Sequence, residues 1–258
     1  MAKGTALITG ASSGIGAELA KLCAADGYDV ILVARQRAAL EDLAFHLSQA
    51  HSIAARALIA DLADVGAPRA IFESAGAVDI LINNAGFGLR GAYAETDWEA
   101  EARMIQVNIT ALANLTKLYL PGMIARRSGR ILNVASTAAF VPGPFMAMYY
   151  ASKAFVVSFS LAIADELQGT RVTMTVLCPG VTRTNFFETA GTSNTNVLKG
   201  PTMSAAEVAR QGYDAMKAGK AEIIAGARNR WTILGTRLVP RRMLAKIARR
   251  LNSPAGAR

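Results

Sequence analysis

T-A-L-I-T-G-A-S-S-G-I-G, residues 5–16, carries the strongest structural signal in this chain. Its first part, Ala6–Thr9, is a short apolar run of the kind that forms a buried parallel strand. Three glycines follow within seven residues, and the amphipathic run 17–25 then predicts a helix. A strand, a glycine-rich turn and a helix in this order are typical of a unit that binds a nucleotide.

The glycine-rich turn suits a pyrophosphate. Glycines let the backbone turn sharply and approach the ligand, and the N-terminus of the helix offers unpaired N–H groups to the phosphates. The spacing is G-x-x-x-G-x-G rather than G-x-G-x-x-G, so the turn by itself leaves a plain tight turn open as the alternative. The residues we assign to cofactor binding in this turn are Gly10, Ala11, Ser12, Ser13, Gly14, Ile15 and Gly16.

Apolar runs and amphipathic runs alternate along most of the chain. Strands are predicted near 5–9, 29–34, 55–60, 78–83, 130–135, 171–177 and 221–225. Helices are predicted near 14–26, 37–50, 66–75, 97–126, 147–168 and 204–218. This alternation predicts one α/β domain over residues 1–258: a doubly wound, Rossmann-type parallel sheet of about seven strands with helices on both faces, which binds ligands at the carboxyl ends of its strands.

Composition agrees with one enzyme-sized domain. The chain has 258 residues, of which 52% are apolar, which suffices for one sizeable core. No apolar run reaches 18 residues and the first strand starts at Thr5, so we expect no membrane span, no signal peptide and a cytoplasmic location. Cys23 and Cys178 are expected to be free thiols, and His46 and His51 have no other plausible ligands nearby, so we expect no metal site.

Three residues suggest proton transfer: Ser136, Tyr149 and Lys153. Tyr149 and Lys153 are four residues apart in a predicted helix, so they share one face. An ammonium beside a phenol favours the phenolate and lowers the pKa of the phenol from about 10. A serine hydroxyl can hold a carbonyl oxygen within reach of that phenol. Taken singly, Tyr149 is equally typical of a buried aromatic residue and Lys153 of a solvated helix residue. The catalytic interpretation of the three residues depends on the glycine-rich turn upstream.

The chain resembles the single-domain form of the short-chain dehydrogenase/reductase family. Motifs of that family occur in order over about residues 4–190: T-G-A-S-S-G-I-G at 9–16, D-L at 61–62, N-N-A-G at 83–86, V-N at 107–108, Ser136, Y-x-A-S-K at 149–153 and P-G-V-T-R-T at 179–184. The resemblance implies an oxidoreductase that interconverts a ketone or aldehyde and an alcohol by hydride transfer with a nicotinamide cofactor.

The resemblance also implies four catalytic roles. Tyr149 would be the general acid/base, and Lys153 would lower its pKa and bind the nicotinamide ribose. Ser136 would position the substrate oxygen, and Asn108 would hold a water that links Lys153 to solvent. Further cofactor contacts are implied for the following residues: Asp61 and Leu62 at the adenine, Asn83, Asn84, Ala85 and Gly86 along the cofactor, and Pro179, Gly180, Thr182 and Thr184 at the nicotinamide.

The end of the second strand predicts which cofactor binds. An enzyme for NAD(H) typically places a carboxylate here, whereas this chain has Ala34 and Arg35. A guanidinium binds the 2′-phosphate of NADP(H) with charge-assisted hydrogen bonds. We therefore predict NADP(H) in preference to NAD(H), with a plain surface arginine as the alternative.

Apolar side chains near the predicted site indicate an apolar substrate. The predicted pocket residues are Phe87, Phe140, Val141, Phe145, Met146 and Phe186. Packing of these residues on one another or on a neighbouring subunit is the alternative. Residues 187–220 are expected to form a substrate lid and a helix, although a surface loop without a gating role is also open.

The C-terminal extension, 227–258, is strongly basic. The chain has a net charge of +9, and no acidic residue follows Glu222. Segment 231–251 is basic and amphipathic, with Met243, Leu244, Ile247 and Leu251 on one helical face. Subunit packing, capping of the cleft and peripheral contact with a membrane all remain open, while nucleic-acid binding is not expected because no binding module accompanies the charge.

Two functional classes remain at this stage. The favoured one is an NADP(H)-dependent carbonyl reductase that works in the reductive direction and forms a homodimer or homotetramer. The alternative is a non-catalytic, NADP-responsive binding protein with the same fold. A sugar-nucleotide epimerase or dehydratase also uses Tyr and Lys at this spacing, but such enzymes are usually longer and have a differently spaced glycine turn.

Overall fold

The computed structural model describes residues 2–184, 186, 190–192 and 195–254. Seven parallel strands form one sheet in the order β3-β2-β1-β4-β5-β6-β9. The strand bounds are β1 Thr5–Thr9, β2 Asp29–Ala34, β3 Ala55–Ile59, β4 Ile80–Asn83, β5 Gly129–Val134, β6 Val172–Cys178 and β9 Glu222–Ile224. Two short strands, β7 (Thr182–Arg183) and β8 (Met203–Ser204), pair separately. All seven strands predicted for the sheet are confirmed.

Helices cover both faces of this sheet. Their bounds are α1 Gly14–Ala25, α2 Arg37–His51, α3 Ala67–Ala75, α4 Trp98–Ile105, α5 Leu112–Ala125, α6 Ala147–Glu166, α7 Ala205–Lys217, α8 Ala227–Thr236 and α9 Arg241–Asn252. Ala6 and Ile8 point toward the layer of α1, α2 and α7, whereas Leu7 points toward α3 and α5. Successive strand residues face opposite sides, so a parallel sheet covered on both faces needs a continuous apolar run. The run Ala6–Ile8 in β1 is fully buried.

The strand order reverses at β1. This strand pairs with β2 on one side and with β4 on the other. The connections after β1 and β4 therefore leave the sheet in opposite directions and open a crevice at its carboxyl edge. The predicted doubly wound, single-domain α/β fold is confirmed.

Two helical predictions differ in detail from the structure. The predicted helix over 97–126 is continuous in path, but its middle, Gln106–Ala111, is a π-helical segment between α4 and α5. The predicted amphipathic helix over 231–251 is two helices, α8 and α9, because Pro240 cannot donate a helical hydrogen bond and instead occupies the N-cap of α9.

Helix α6 is the one described helix that is long and apolar enough to cross a membrane by length and composition. The core helix of a folded domain passes the same test. Helix α6 buries Tyr149, Ser152, Lys153, Val156 and Ser160, and it packs on β6. Since 28% of this apolar stretch is buried, α6 covers the sheet with one face and leaves its other side exposed.

Candidate active site

The turn between β1 and α1 borders the crevice at the switch point. Gly10 and Gly14 have φ angles of 65° and 57°, in the left-handed region that favours glycine. A Cβ atom on residue 16 would collide with the carbonyl oxygen of Gly10, so α1 can start this close to β1 only with glycine there. Ser13 precedes α1 without a side-chain capping bond, which leaves the first N–H groups of the helix available to an anion.

Five of the seven turn residues predicted to bind the cofactor line one large cavity: Gly10, Ser12, Ser13, Gly14 and Ile15. Ala11 and Gly16 lie behind them and are buried. The Ser12 hydroxyl donates to Oε1 of Gln36 at 2.8 Å, which ties the turn to the segment that follows β2. The cavity has a volume of about 1050 Å³ and extends from this turn to the C-terminal helices.

Asn84 fastens the turn to the end of β4. Its side-chain amide donates to the carbonyl oxygens of Thr9 at 2.9 Å and Gly10 at 3.1 Å. The Thr9 hydroxyl accepts from the backbone N–H groups of Asn84 and Ala85 at 3.0 and 3.1 Å. Asn84, Ala85 and Gly86 line the cavity as predicted, but the donors of the Asn84 amide already bond the turn, so its first role here is to hold the turn's shape.

Asn83 lies elsewhere than predicted. Its side chain is 2% exposed and points into the sheet, where its amide donates to Asn133 at 2.9 Å and Thr116 at 3.2 Å. It does not line the cavity. Side chains alternate between faces along a strand, so the neighbour of a cleft residue at the end of β4 points away from the cleft.

The other end of the cavity lies over the carboxyl ends of β2 and β3. Arg35, Asp61 and Leu62 all line it. Asp61 accepts from the Ala63 N–H at 3.0 Å and pairs with Arg103 at 3.1 Å. Arg35 is exposed, and among the described residues no salt bridge engages it. Its guanidinium is therefore available to an anion at this end of the cavity.

Tyr149, Lys153 and Ser136 meet at the centre of the cavity. Tyr149 and Lys153 lie one turn apart on α6 and are only 8% and 5% exposed. The Lys153 ammonium donates to the Val134 carbonyl at 3.0 Å and lies 5.9 Å from the centroid of the Tyr149 ring. Ser136 caps the 3-10 helix Thr137–Phe140, and its hydroxyl accepts from the Ala138 N–H at 3.1 Å. The fold thus assembles the predicted trio from one strand end and one helix.

Asn108 stands immediately behind this trio, in the π-helical segment. Its side chain bonds both backbone groups of Phe87, at 3.1 and 2.9 Å, and donates to the Ser152 hydroxyl at 3.0 Å. A Cβ atom on Gly86 would lie 3.0 Å from the Asn108 amide oxygen and 3.2 Å from the Lys153 ammonium. Asn108 therefore lies close to Lys153, and the extra residue of a π segment is the kind of irregularity found at functional sites. It does not line the cavity itself.

Burial is the largest influence on the pKa values of Tyr149 and Lys153. It raises the pKa of Tyr149, and the neighbouring Ser136 hydroxyl lowers that pKa by less. It also lowers the pKa of Lys153 from 10.5 to about 8. The sequence led us to expect a lowered pKa for Tyr149. The structure gives the opposite direction because both groups are desolvated and the ammonium is turned toward the Val134 carbonyl. A proton donor at neutral pH needs further positive charge beside the phenol.

The segment after β6 forms the wall nearest to Ser136. Pro179, Gly180, Thr182 and Thr184 all line the cavity, as predicted. A Cβ atom on residue 180 would collide with the Asn229 side chain of α8, so this wall depends on glycine. Asn229 itself lines the cavity and was missed by the sequence analysis, because only the tertiary fold brings α8 to this wall.

The substrate end is apolar. Four of the six predicted pocket residues line the cavity: Phe87, Val141, Met146 and Phe186. The ring of Phe186 lies 5.2 Å from the ring of Tyr149. Phe140 and Phe145 do not line the cavity, contrary to the prediction. Phe140 packs against a core cluster that contains Val156, and the Arg249 guanidinium lies 4.9 Å from the centroid of the Phe145 ring.

The C-terminal helices close this end of the cavity. Asn252 is buried and holds α9 in place: its amide donates to the Pro144 carbonyl at 2.9 Å, and its Oδ1 accepts from the Tyr150 hydroxyl at 3.2 Å. Arg90 donates to the Asn252 carbonyl at 2.7 Å. Ile233, Leu244 and Ala248 add apolar lining. The amphipathic pattern predicted a helix here, but nothing in the sequence pointed to Asn252.

The predicted lid segment, 187–220, divides into two parts. Residues 187–189 and 193–194 lie outside the described residues, and Thr192, Val197 and Pro201 line the cavity. Helix α7 belongs instead to the core, where Tyr213 is 1% exposed. Cys23 and Cys178 are free thiols, as predicted, and among the described ranges no three potential ligand side chains cluster as a metal site.

Similarity to known proteins in sequence and in fold identifies the family. The family model for short chain dehydrogenases matches residues 4–195. Dehydrogenase/reductase SDR family member 7B of Mus musculus is 33% identical over an alignment of 233 residues, which covers 84% of this chain and 72% of that protein. The very-long-chain 3-oxoacyl-CoA reductase of Laccaria bicolor is 35% identical over 66% of this chain and 52% of that one.

A solved structure gives the same assignment. The short-chain dehydrogenase from Sphingobium yanoikuyae in complex with NADPH superposes with a TM-score of 0.83 at 33% identity, covering 91% of this chain and 93% of that one. The chain belongs to the short-chain dehydrogenase/reductase family. It is therefore an oxidoreductase of a family that uses a nicotinamide cofactor.

Proposed function

We propose that this protein is an NADP(H)-dependent carbonyl reductase that acts on apolar ketones or aldehydes, with the corresponding alcohol as product. The observation that carries the proposal is the convergence of Tyr149, Lys153 and Ser136 on an apolar cavity of about 1050 Å³ that begins at the glycine turn. The presence of all four catalytic residue types favours an enzyme over a non-catalytic binding protein.

The nicotinamide cofactor, when bound, supplies the hydride and, in its oxidised form, a positive charge. The glycine turn and the N-terminus of α1 would hold its phosphates, and the wall Pro179–Thr184 would border its nicotinamide end. Ser136 would hold the substrate oxygen toward the Tyr149 hydroxyl, which donates its proton to that oxygen during reduction. Lys153 favours the phenolate that remains, and Asn108, which lies close to Lys153 beside Gly86, would hold the water that links Lys153 to solvent.

Tyr149→Phe tests the catalytic part of the proposal. The substitution removes the proton donor and leaves the ring that packs on Phe186. We expect NADPH consumption with a panel of apolar ketones to fall by about 100- to 10,000-fold. Tyr93→Phe is the matched control, because Tyr93 is 58% exposed and does not line the cavity. Comparable rates in the wild type and in Tyr149→Phe would exclude the mechanism, and no turnover of any carbonyl by the wild type would favour the non-catalytic alternative.

The preference for NADP(H) is supported by Arg35. This arginine lines the cavity, and the end of β2 carries Ala34 and Arg35 in place of a carboxylate that would repel a 2′-phosphate. The relative from Sphingobium yanoikuyae binds NADPH, in line with the proposal. We expect Arg35→Asp to weaken NADPH binding by about 10- to 100-fold, as for loss of charge-assisted hydrogen bonds, and to spare NADH. Arg69→Asp, an exposed arginine on α3, is the control. Unchanged NADPH affinity in Arg35→Asp would refute the assignment.

The apolar substrate is supported by Phe87, Met146 and Phe186 around Tyr149. The very-long-chain 3-oxoacyl-CoA reductase among the relatives carries an apolar chain in its named substrate. Activity confined to small charged ketones would overturn this part of the proposal. We also propose that the enzyme works in the reductive direction, because cells usually keep NADP(H) reduced.

Assembly into a homodimer or homotetramer is also proposed. Ile124 on α5 and Phe155 and Leu161 on α6 are large apolar side chains that the chain leaves exposed, which favours their burial against a second copy. The cytoplasmic location predicted from the sequence stays a prediction.

A further inference from the structure

Helices α8 and α9 and the turn between them expose an unusual number of apolar side chains. Of the thirteen large apolar side chains that the described residues expose, six lie in this stretch: Trp231, Leu234, Leu238, Met243, Ile247 and Leu251. Leu238 is 89% exposed and Trp231 is 73% exposed. We call this set the apolar stripe.

The apolar stripe follows helical spacing. Trp231 and Leu234 are three residues apart, so they share one side of α8, and Leu238 follows in the turn after this helix. Met243, Ile247 and Leu251 are four residues apart, so they share one side of α9. The residues of α9 that the domain buries, Leu244, Ala248 and Asn252, lie on an adjacent side. The stripe is therefore additional to the face by which α9 docks on the domain.

Basic side chains flank the stripe and have no acidic partner nearby. Eight exposed bases lie on α8, on α9 and in their connection: Arg228, Arg230, Arg237, Arg241, Arg242, Lys246, Arg249 and Arg250. No acidic residue follows Glu222 in the sequence. Among the described residues, none of these eight bases forms a salt bridge. Their charge is thus unneutralised within the chain.

The stripe adjoins the mouth of the active-site cavity. Ile247 and Leu251 belong to the stripe, are about half exposed, and also line the cavity. On α8, Thr232 and Thr236 also line the cavity, but from a different side of the helix than Trp231 and Leu234. Through Ile247 and Leu251, the stripe therefore continues into the cavity that Phe186 and Tyr149 also line.

We propose that α8 and α9 dock this protein on the surface of an anionic lipid bilayer, with the cavity mouth facing the lipid. An apolar stripe with flanking arginines and lysines is the pattern of a helix that lies in the membrane interface. A second copy of the chain fits this surface poorly, because pairing the same face would bring the unpaired bases of both copies together. Docking itself does not depend on the proposed substrate; only the entry of substrate from the lipid rests on the proposed function.

Single-tryptophan proteins test the docking directly. The chain has two tryptophans, Trp98 and Trp231. Trp98→Phe leaves Trp231 as the reporter in the stripe, and Trp231→Phe leaves Trp98 at the start of α4. With vesicles of equal parts phosphatidylserine and brominated phosphatidylcholine, we expect strong quenching of Trp231 and none of Trp98. Absence of quenching at Trp231, or equal quenching of both, would overturn the proposal.

A charge-matched pair of variants tests the basic flank. The triple variant Arg241→Glu, Arg242→Glu and Lys246→Glu is compared with Arg69→Glu, Arg210→Glu and Lys220→Glu, which changes the net charge equally at exposed positions elsewhere. We expect the first to lose at least about tenfold in co-sedimentation with the phosphatidylserine vesicles and the second to stay near wild type, with binding weakening as salt rises. Equal losses in both triples would show attraction by net charge alone and refute a docking surface.

Two further measurements distinguish a lipid surface from a second copy of the chain as the occupant of the stripe. Leu238→Asp should reduce co-sedimentation. The control is Val65→Asp, which changes a 73% exposed residue outside the stripe and should not reduce it. If Leu238→Asp instead changes the molecular mass in solution and the wild type does not bind vesicles, the stripe is covered by a second copy and the proposal is wrong. Ketone reduction in detergent-free buffer, measured in parallel, separates a failure of docking from a failure of the proposed function.

Discussion

Asn108→Ala should cost this protein about 3 kcal/mol of unfolding free energy. The Asn108 side chain is 1% exposed and makes three hydrogen bonds, two to the backbone of Phe87 and one to Ser152. A hydrogen bond contributes about 1 kcal/mol net, and leaving a buried group unpaired costs about 1–3 kcal/mol. Three lost bonds therefore give about 3 kcal/mol as a lower figure, since the N–H and carbonyl of Phe87 remain buried in part.

Urea denaturation at one fixed protein concentration measures this loss. Asn114→Ala is the matched control: it removes the same atoms from an exposed position on α5, six residues further along the chain, and should change the unfolding free energy by less than about 0.5 kcal/mol. The m-values should stay equal, because both variants unfold the same surface. A loss in Asn108→Ala that matches the control would show that the bonds around the π-helical segment do not hold the loop after β4.

Two other perturbations probe the site. Lys153 has a pKa of about 8 in the folded protein against an ordinary value of 10.5, so between these values the unfolded chain binds more protons and stability rises with pH. The unfolding free energy of the wild type minus that of Lys153→Met should therefore rise by up to about 3 kcal/mol from pH 7 to 10.5. A value that falls or stays flat over this range would contradict the burial of a charged lysine. Gly16→Ala should destabilise the protein by more than about 2 kcal/mol and abolish cofactor binding in calorimetry, because the new Cβ would meet the Gly10 carbonyl. Gly66→Ala is the control and should be nearly neutral, because the space around residue 66 is open. Equal behaviour of the two variants would show that the glycine turn can relax.

The order of secondary structure was readable from local patterns. Buried parallel strands need continuous apolar runs, and residues 6–8 and 30–34 are such runs, so their strands follow from composition and length alone. The proximity of Tyr149 and Lys153 was readable for a similar reason, because a spacing of four residues places both on one side of any helix. Arg35 followed from its place directly after a strand, since parallel strands end at the ligand edge of the sheet.

Long-range packing decided the remaining features, and no local pattern encodes it. Asn83 and Asn84 are adjacent in sequence, yet the pleat of β4 sends one side chain into the sheet and the other to the glycine turn. Phe145 was grouped with the pocket by its apolar character, but α9 covers it with Arg249. The raised pKa of Tyr149 depends on how many distant elements exclude water from it. Chain order and periodicity thus determine the elements and their ligand edge, whereas burial and side-chain direction at the site arise only when segments far apart in sequence pack together.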